Sequence, residues 1–173
     1  MGTPRTACTL LLCLAMCGPA GPVRAQLAGD VTLRVAVLYN IVQFVQWPEG
    51  SGSAKDFQFC VVEGDELAAG LGTLDGQPLG AGKVRVRTVA SGQLAGCQAV
   101  YLPAAGIAAP RASREAGLLT LSSGHGLVEQ GAMVNVVQDG KRVAFDIGLG
   151  ALRRAGMSLS AKVLRLARYV KED

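Results

Sequence analysis

Phe57-Gln58-Phe59-Cys60-Val61-Val62 is a short, nearly unbroken apolar run. It is followed at once by Glu63-Gly64-Asp65 and a helix-forming segment of about Glu66 to Leu74. A run of that length and composition reads as a strand covered on both faces, and the helix after it reads as a crossover to a parallel neighbour. The pattern repeats downstream. Lys83 to Val89 alternates Val84 and Val86 with Arg85 and Arg87, as a strand with one wetter face does. Gln98 to Leu102 and Leu118 to Leu121 are further buried strands, and Leu127 to Gln130 fits a helical turn after Gly124-His125-Gly126. Met133 to Val137 and Arg142 to Ile147 flank Asp139-Gly140, a hairpin signal. Upstream, Asp30 can cap a helix that runs to about Trp47 and stops at Trp47-Pro48. Val31, Val35, Leu38, Val42 and Val45 form one apolar stripe on it, and Leu33, Val37, Ile41 and Phe44 a second, which predicts burial on more than one side. Glu49 to Asp56 is a Gly/Ser loop. After the hairpin come a segment Leu149 to Ala155, then Met157-Ser158-Leu159, and an amphipathic helix from Ser160 to about Lys171. Strands separated by helices predict a three-layer α/β sandwich, its sheet mainly parallel with helices on both faces, closed by a C-terminal hairpin plus helix.

The first 25 residues read as an export signal. Arg5 precedes the apolar run Cys8 to Met16, Gly18-Pro19-Ala20-Gly21-Pro22 ends it, and Val23-Arg24-Ala25 offers small residues at the two positions a signal peptidase reads. Cleavage is expected after Ala25, which makes residues 26–173 one mature domain in the periplasm. A lipoprotein reading is weaker, because Met16 stands where a small residue should precede Cys17. The mature chain would keep 148 of the 173 residues, enough for one core, and only Cys60 and Cys97 of the five cysteines. An even pair in an oxidising compartment favours a disulfide over two inert thiols.

Charge and composition exclude several classes. Half the residues are hydrophobic and 17% are charged. The mature net charge near +2 leaves no nucleic-acid footprint over the chain as a whole. His125 is the only histidine, so any Ser/His/Asp or Cys/His centre would have to use it, and it sits in a glycine-flanked loop with no Gly-x-Ser-x-Gly elbow. A metal site would need His125, both cysteines and a carboxylate to converge. Gly148-x-Gly150 follows a strand, but Arg153 stands where a dinucleotide fingerprint needs its third glycine, so these glycines read as a tight turn. No cofactor and no enzymatic activity are expected.

Val35-Ala36-Val37-Leu38-Tyr39-Asn40-Ile41-Val42-Gln43-Phe44-Val45-Gln46-Trp47-Pro48 resembles the opening helix of the YfiR-like family of periplasmic proteins. The segment from Phe145-Asp146-Ile147 through Ala155-Gly156-Met157-Ser158-Leu159-Ser160 to Leu164-Arg165-Leu166-Ala167 is similar to that family's closing signature. The resemblance implies that Cys60 and Cys97 match a disulfide pair of better-known members, while a second pair found in some members has no counterpart here. It also implies regulation by contact. YfiR-like proteins repress an inner-membrane diguanylate cyclase through its periplasmic sensor region, and an OmpA-like outer-membrane lipoprotein relieves that repression.

The carboxyl-terminal third carries the charge pattern that fits such a surface. Lys141 to Lys171 holds eight basic residues and one acid, Asp146. One reading is a solvated helix face complementing its own dipole, the other a basic surface for an acidic partner or anionic lipid. The expected partner contacts are Asp146, Leu152, Arg153, Arg165 and Arg168, with Phe145 assigned to the core by strand alternation and Asp146, on the opposite parity, to the surface. A homodimer is neither required nor excluded. The alternative from another class is a soluble small-ligand binding protein that uses Gly64, Asp65, Pro103 and His125 at the carboxyl ends of the parallel strands.

Overall fold

The structure, a computed structural model, describes residues 22–49, 55–104 and 116–173. The export signal up to residue 21 and most of the Gly/Ser loop lie outside the described residues.

Helix α1 spans Pro22–Gln43. Asp30 is therefore inside the helix and not its cap, and it pairs with Arg34 one turn on at 3.4 Å. The helix also stops short of Trp47-Pro48, because Val45 and Gln46 leave it as strand β1 (Val45–Gln46) to pair antiparallel with β9 (Ser158–Leu159). Of the two expected apolar stripes, Val35, Leu38 and Val42 are buried, whereas Leu33 is 51% and Phe44 50% exposed. Ile41 alone of the second stripe is buried.

The remaining strands form one sheet of eight. They are β2 (Phe57–Val61), β3 (Pro78–Leu79), β4 (Gly82–Thr88), β5 (Ala99–Pro103), β6 (Leu119–Ser123), β7 (Val134–Asp139), β8 (Arg142–Gly148) and β10 (Tyr169–Lys171), in the spatial order β10-β8-β7-β6-β5-β2-β4-β3. Only the β7/β8 and β4/β3 pairs are antiparallel. The mainly parallel α/β sheet is thus the one expected, in an architecture compatible with a three-layer sandwich. Helices α2 (Glu66–Leu71), α3 (Leu149–Arg154) and α4 (Ala161–Leu164) join α1 in the larger core cluster, which includes Phe59, Tyr101, Leu121, Val136 and Ile147. The opposite face of the sheet carries a smaller cluster around Cys60, Val100 and Leu102, with Leu94 and Cys97 from the loop before β5.

Local chemistry explains the boundaries. Asp65 caps α2, its Oδ1 accepting from the Ala68 amide at 2.8 Å. The β7/β8 hairpin pairs Asp139 with Arg142, so its two-residue loop is Gly140-Lys141, one step later than Asp139-Gly140. Gly140 has φ +60, the positive value that a type II′ turn places on its first central residue. Gly148 and Gly150 are not a tight turn. A Cβ on Gly148 would sit 2.5 Å from the Ala132 carbonyl oxygen, and one on Gly150 2.7 Å from that of Glu172, so both are small because backbone passes close by. Leu127 to Gln130 is a chain of turns and not a regular helix. The expected amphipathic helix from Ser160 to Lys171 is cut to one turn, α4, capped by Ser160. Beyond it the chain extends, the Arg168 amide bonds the Phe145 carbonyl at 2.8 Å, and β10 pairs in parallel with β8.

Candidate interaction surface

The structure sorts the expected partner contacts into buried and exposed sets. Asp146 is buried, at 3% exposure, so the strand-parity argument for a surface residue is overturned. Phe145 packs on the larger core and Asp146 has the opposite parity, on the side where Arg168, just before β10, meets it. Arg168 reaches it with Nε at 2.9 Å and Nη2 at 2.7 Å, a bidentate pair in which the carboxylate holds the guanidinium pKa above its ordinary value. Asn135, opposite Asp146 in register, donates to Gly124 O at 2.6 Å and to Asp146 Oδ2 at 3.4 Å, and Ser122, opposite Asn135, donates to its Oδ1 at 3.2 Å. A row of polar side chains therefore crosses β6, β7 and β8 and ends on Arg168, every member partnered. Leu152, also expected as a contact, is fully buried in the core. Phe145 packs against the core, as alternation predicts. Arg153 and Arg165 are exposed, together with Arg154, Lys162 and Leu166, the last at 69%.

Strand β10 has a second ionic anchor. Glu129 accepts from Lys171 Nζ and from Tyr169 Oη, both at 2.9 Å. The Lys171 bond is the larger cause, and the two together lower the Glu129 pKa and raise those of Lys171 and Tyr169.

At the carboxyl edge of the parallel strands, polar side chains from several elements meet over β5 and β6. Tyr101 Oη donates to Asp65 Oδ2 at 2.7 Å, and Arg34 Nη1 lies 3.4 Å from Ser123 Oγ. Burial first, then the Asp65 carboxylate, pushes the Tyr101 phenol well above its ordinary range, so it stays a neutral donor. Arg34 Nε is buried without a partner. Side chains from α1, the cap of α2, β5 and β6 thus meet above β5 and β6, while a cavity of about 280 Å³ remains at the carboxyl ends of β2 and β4, with Gly64 and Asp65 on its lining. Gly64, Asp65 and His125 are exposed, Pro103 is buried, and Asp65 is engaged as a helix cap. Among the described residues no three His, Cys, Asp or Glu side chains are grouped to hold a metal.

Cys60 and Cys97 are joined in a disulfide with Cα atoms 5.8 Å apart. Arg87 Nη2 lies 3.7 Å and 3.6 Å from the two sulfurs and donates to Ala95 O at 2.9 Å, so it holds the loop that the bridge closes.

The two sequence signatures meet in space. Val45 and Gln46 pair with Leu159 and Ser158, Gln46 Oε1 accepts from Ser158 Oγ at 2.9 Å, and Pro48 packs on Gly156. Trp47 Nε1 donates to Gly117 O at 3.2 Å, and the Gly117 amide donates to Ala155 O at 3.0 Å. The opening Trp-Pro and the closing Ala-Gly-Met-Ser-Leu are therefore two halves of one packing unit, which gives their joint presence a physical reason. The family described as YfiR/HmsC-like matches residues 32–168, a span that contains both halves. The chain belongs to the YfiR/HmsC-like family. Membership in this YfiR/HmsC-like family points to a periplasmic regulator. No curated protein matches the chain. Among solved structures, a conserved domain protein from Vibrio cholerae is similar in fold, with a TM-score of 0.52 at 16% identity. The match covers 82% of this chain and 60% of that one, so the chain spans under two thirds of that protein's length. Among the described residues no helix is long and apolar enough to cross a membrane.

Sequence reasoning missed the exposed half of the α1 stripe and the Arg34, Tyr101, Asp65 and Ser123 network. An arginine at position 34 inside an otherwise apolar helical repeat was the available signal for the network.

Proposed function

We propose that this protein is a non-enzymatic periplasmic regulator that binds the periplasmic sensor region of an inner-membrane diguanylate cyclase and represses it, lowering cyclic-di-GMP signalling. The observation that carries this reading is the family match over residues 32–168. A regulator of this kind needs no reacting group, only a higher affinity for the receptor's inactive conformation than for its active one. The contact surface is assigned to Arg153 and Arg165, which are exposed, as are Arg154, Lys162 and Leu166, the last next to Arg165 in the chain. Exposed cations together with an exposed apolar side chain suit an acidic receptor face, where charge sets the association rate and apolar contact the lifetime. An OmpA-like outer-membrane lipoprotein competing for the same surface would release the cyclase.

The test uses the mature chain from Gln26 and the periplasmic region of the cyclase, with binding followed by surface plasmon resonance and repression by cyclic-di-GMP output in cells. Arg153→Glu with Arg165→Glu should weaken binding at least tenfold, mostly through a slower and less salt-dependent association, at unchanged melting temperature. Absence of binding at tens of micromolar, with output indifferent to deletion of the gene, rejects the proposal.

A further inference from the structure

The Trp-Pro unit borders a cleft that the regulatory reading does not use. It has a volume of about 500 Å³ and lies at the amino ends of β2 and β5, between the carboxyl end of α1 and the turn joining β3 to β4. Val45, Trp47, Phe57 and Leu79 give it apolar walls, Ala81 lies on the turn side, and Lys55 is also on the lining. Gln43, Gln98 and the Gly80 to Gly82 turn add polar groups, so the lining is mixed, and the volume is that of a small-molecule site.

Several contacts hold these walls in place. Trp47 and Phe57 meet edge to face with ring centroids 5.3 Å apart, and the indole N–H is committed to Gly117 O. Tyr39 Oη donates to Pro78 O, tying α1 to β3 across the cleft. Lys55 is fixed through its own backbone. Its carbonyl lies so close to Gly82 that a Cβ there would stand 1.8 Å from the oxygen, and the next residue, Asp56, accepts from the Lys83 amide. The Asp56 carboxylate turns to Arg85 Nε at 3.0 Å, and Lys55 acts on that carboxylate only as a weaker nearby charge, with no ion pair of its own among the described residues. Among the described residues Lys55 is thus the one formally charged side chain on the lining, which holds no carboxylate.

We infer that this cleft binds a small apolar monocarboxylate. The carboxylate pairs with Lys55 at the rim, and the apolar body lies between Trp47 and Leu79. The carboxyl end of α1 brings a partial negative charge of about half a unit to the inner wall, which orients the anionic end outward. An α-amino acid fits poorly, because its ammonium would meet no carboxylate on the lining. The inference goes beyond the regulatory role and does not depend on the identity of the protein partner.

Trp47 is the only tryptophan, so its fluorescence reports this cleft alone. The probes are 3-phenylpropionate, its neutral amide 3-phenylpropionamide, and L-phenylalanine, each titrated into the mature protein with excitation at the red edge of the indole band. Saturable change is expected with 3-phenylpropionate, at least tenfold weaker with the amide and with L-phenylalanine. Lys55→Met should weaken 3-phenylpropionate at least tenfold, and Ala81→Phe, which fills the cleft from an exposed turn, should abolish the response at unchanged melting temperature. A non-saturable response to 3-phenylpropionate overturns the site. Equal affinity for acid and amide, or an unaffected Lys55→Met, overturns the assigned ligand class.

Discussion

Asp146 lies at 4% side-chain exposure while its partner Arg168 keeps 35%, so the pair that fixes β10 to β8 is lopsided in its access to water. Removing the cation strands a carboxylate in the protein, whereas removing the carboxylate leaves a guanidinium that can turn to solvent. Breaking a buried pair costs about 3–5 kcal/mol when the remaining charge is trapped, and much less when it is not. Arg168→Met should therefore destabilise by about 3 kcal/mol and Asp146→Leu by about 1 kcal/mol, read as shifts of the urea midpoint. Equal losses from the two variants would mean that Asp146 is hydrated after all.

The second anchor of β10 is sensitive to pH at both ends. Glu129 has its folded pKa lowered from 4.5, chiefly by Lys171, so its contribution is present above the unfolded value and is lost as pH falls through the folded one. Lys171 and Tyr169 are raised by the same contacts, so theirs is present below their ordinary values of 10.5 and 10.0 and is lost as pH rises through the folded ones. Amide protection of Tyr169, Val170 and Lys171, corrected for intrinsic exchange, should fall several-fold below pH 4. In Glu129→Gln it should be low throughout and flat across that range. A wild-type profile matching that of the variant refutes the anchor.

Gly156 joins the two signatures under two constraints. Its φ is +77, and a Cβ would come within 3.3 Å of Pro48. A left-handed conformation costs an L-residue about 1–2 kcal/mol before any contact is considered. Gly156→Ala should lower stability by about 2 kcal/mol and shift the Trp47 emission through the moved Pro48. Gly126 has φ +70 with open space around it, so Gly126→Ala is the control that carries the backbone cost alone.

Elements whose burial follows from their own residues were legible in the sequence. Phe57 to Val61, Val134 to Asp139 and Arg142 to Gly148 are strands because their apolar content and turn chemistry leave few alternatives. The failures come from pairing between distant segments. Nothing local in Val45-Gln46 says that Leu159 and Ser158 will unwind the end of α1, and nothing in Tyr169-Val170-Lys171 says that a parallel partner will replace the helix. Asp146 was misplaced for a related reason, since parity assigns a face but not what covers it. Helical spacing correctly put Leu33 and Phe44 on one stripe with Ile41, yet spacing alone does not reveal that the two ends of the stripe face solvent while Ile41 is buried.

The Cys60–Cys97 bridge spans 37 residues, from mid-β2 to the turn before β5. Loop-closure entropy for that span gives about 4 kcal/mol of stabilisation, acting mainly on the unfolded chain. In the folded state β2 and β5 remain paired without it, Cys60 opposite Val100, and Arg87 still holds Ala95 O. Reduction, or Cys60→Ser with Cys97→Ser, should therefore lower the melting temperature by roughly 10 °C while leaving the far-ultraviolet circular dichroism intact. Because Arg153 and Arg165 stand on α3 and after α4, away from the bridged loop in the chain, receptor affinity measured well below the melting transition should change less than twofold. A large loss of affinity in a folded, reduced protein would place the bridged loop in the contact surface, and an unchanged melting temperature would remove the bridge from the stability of the fold.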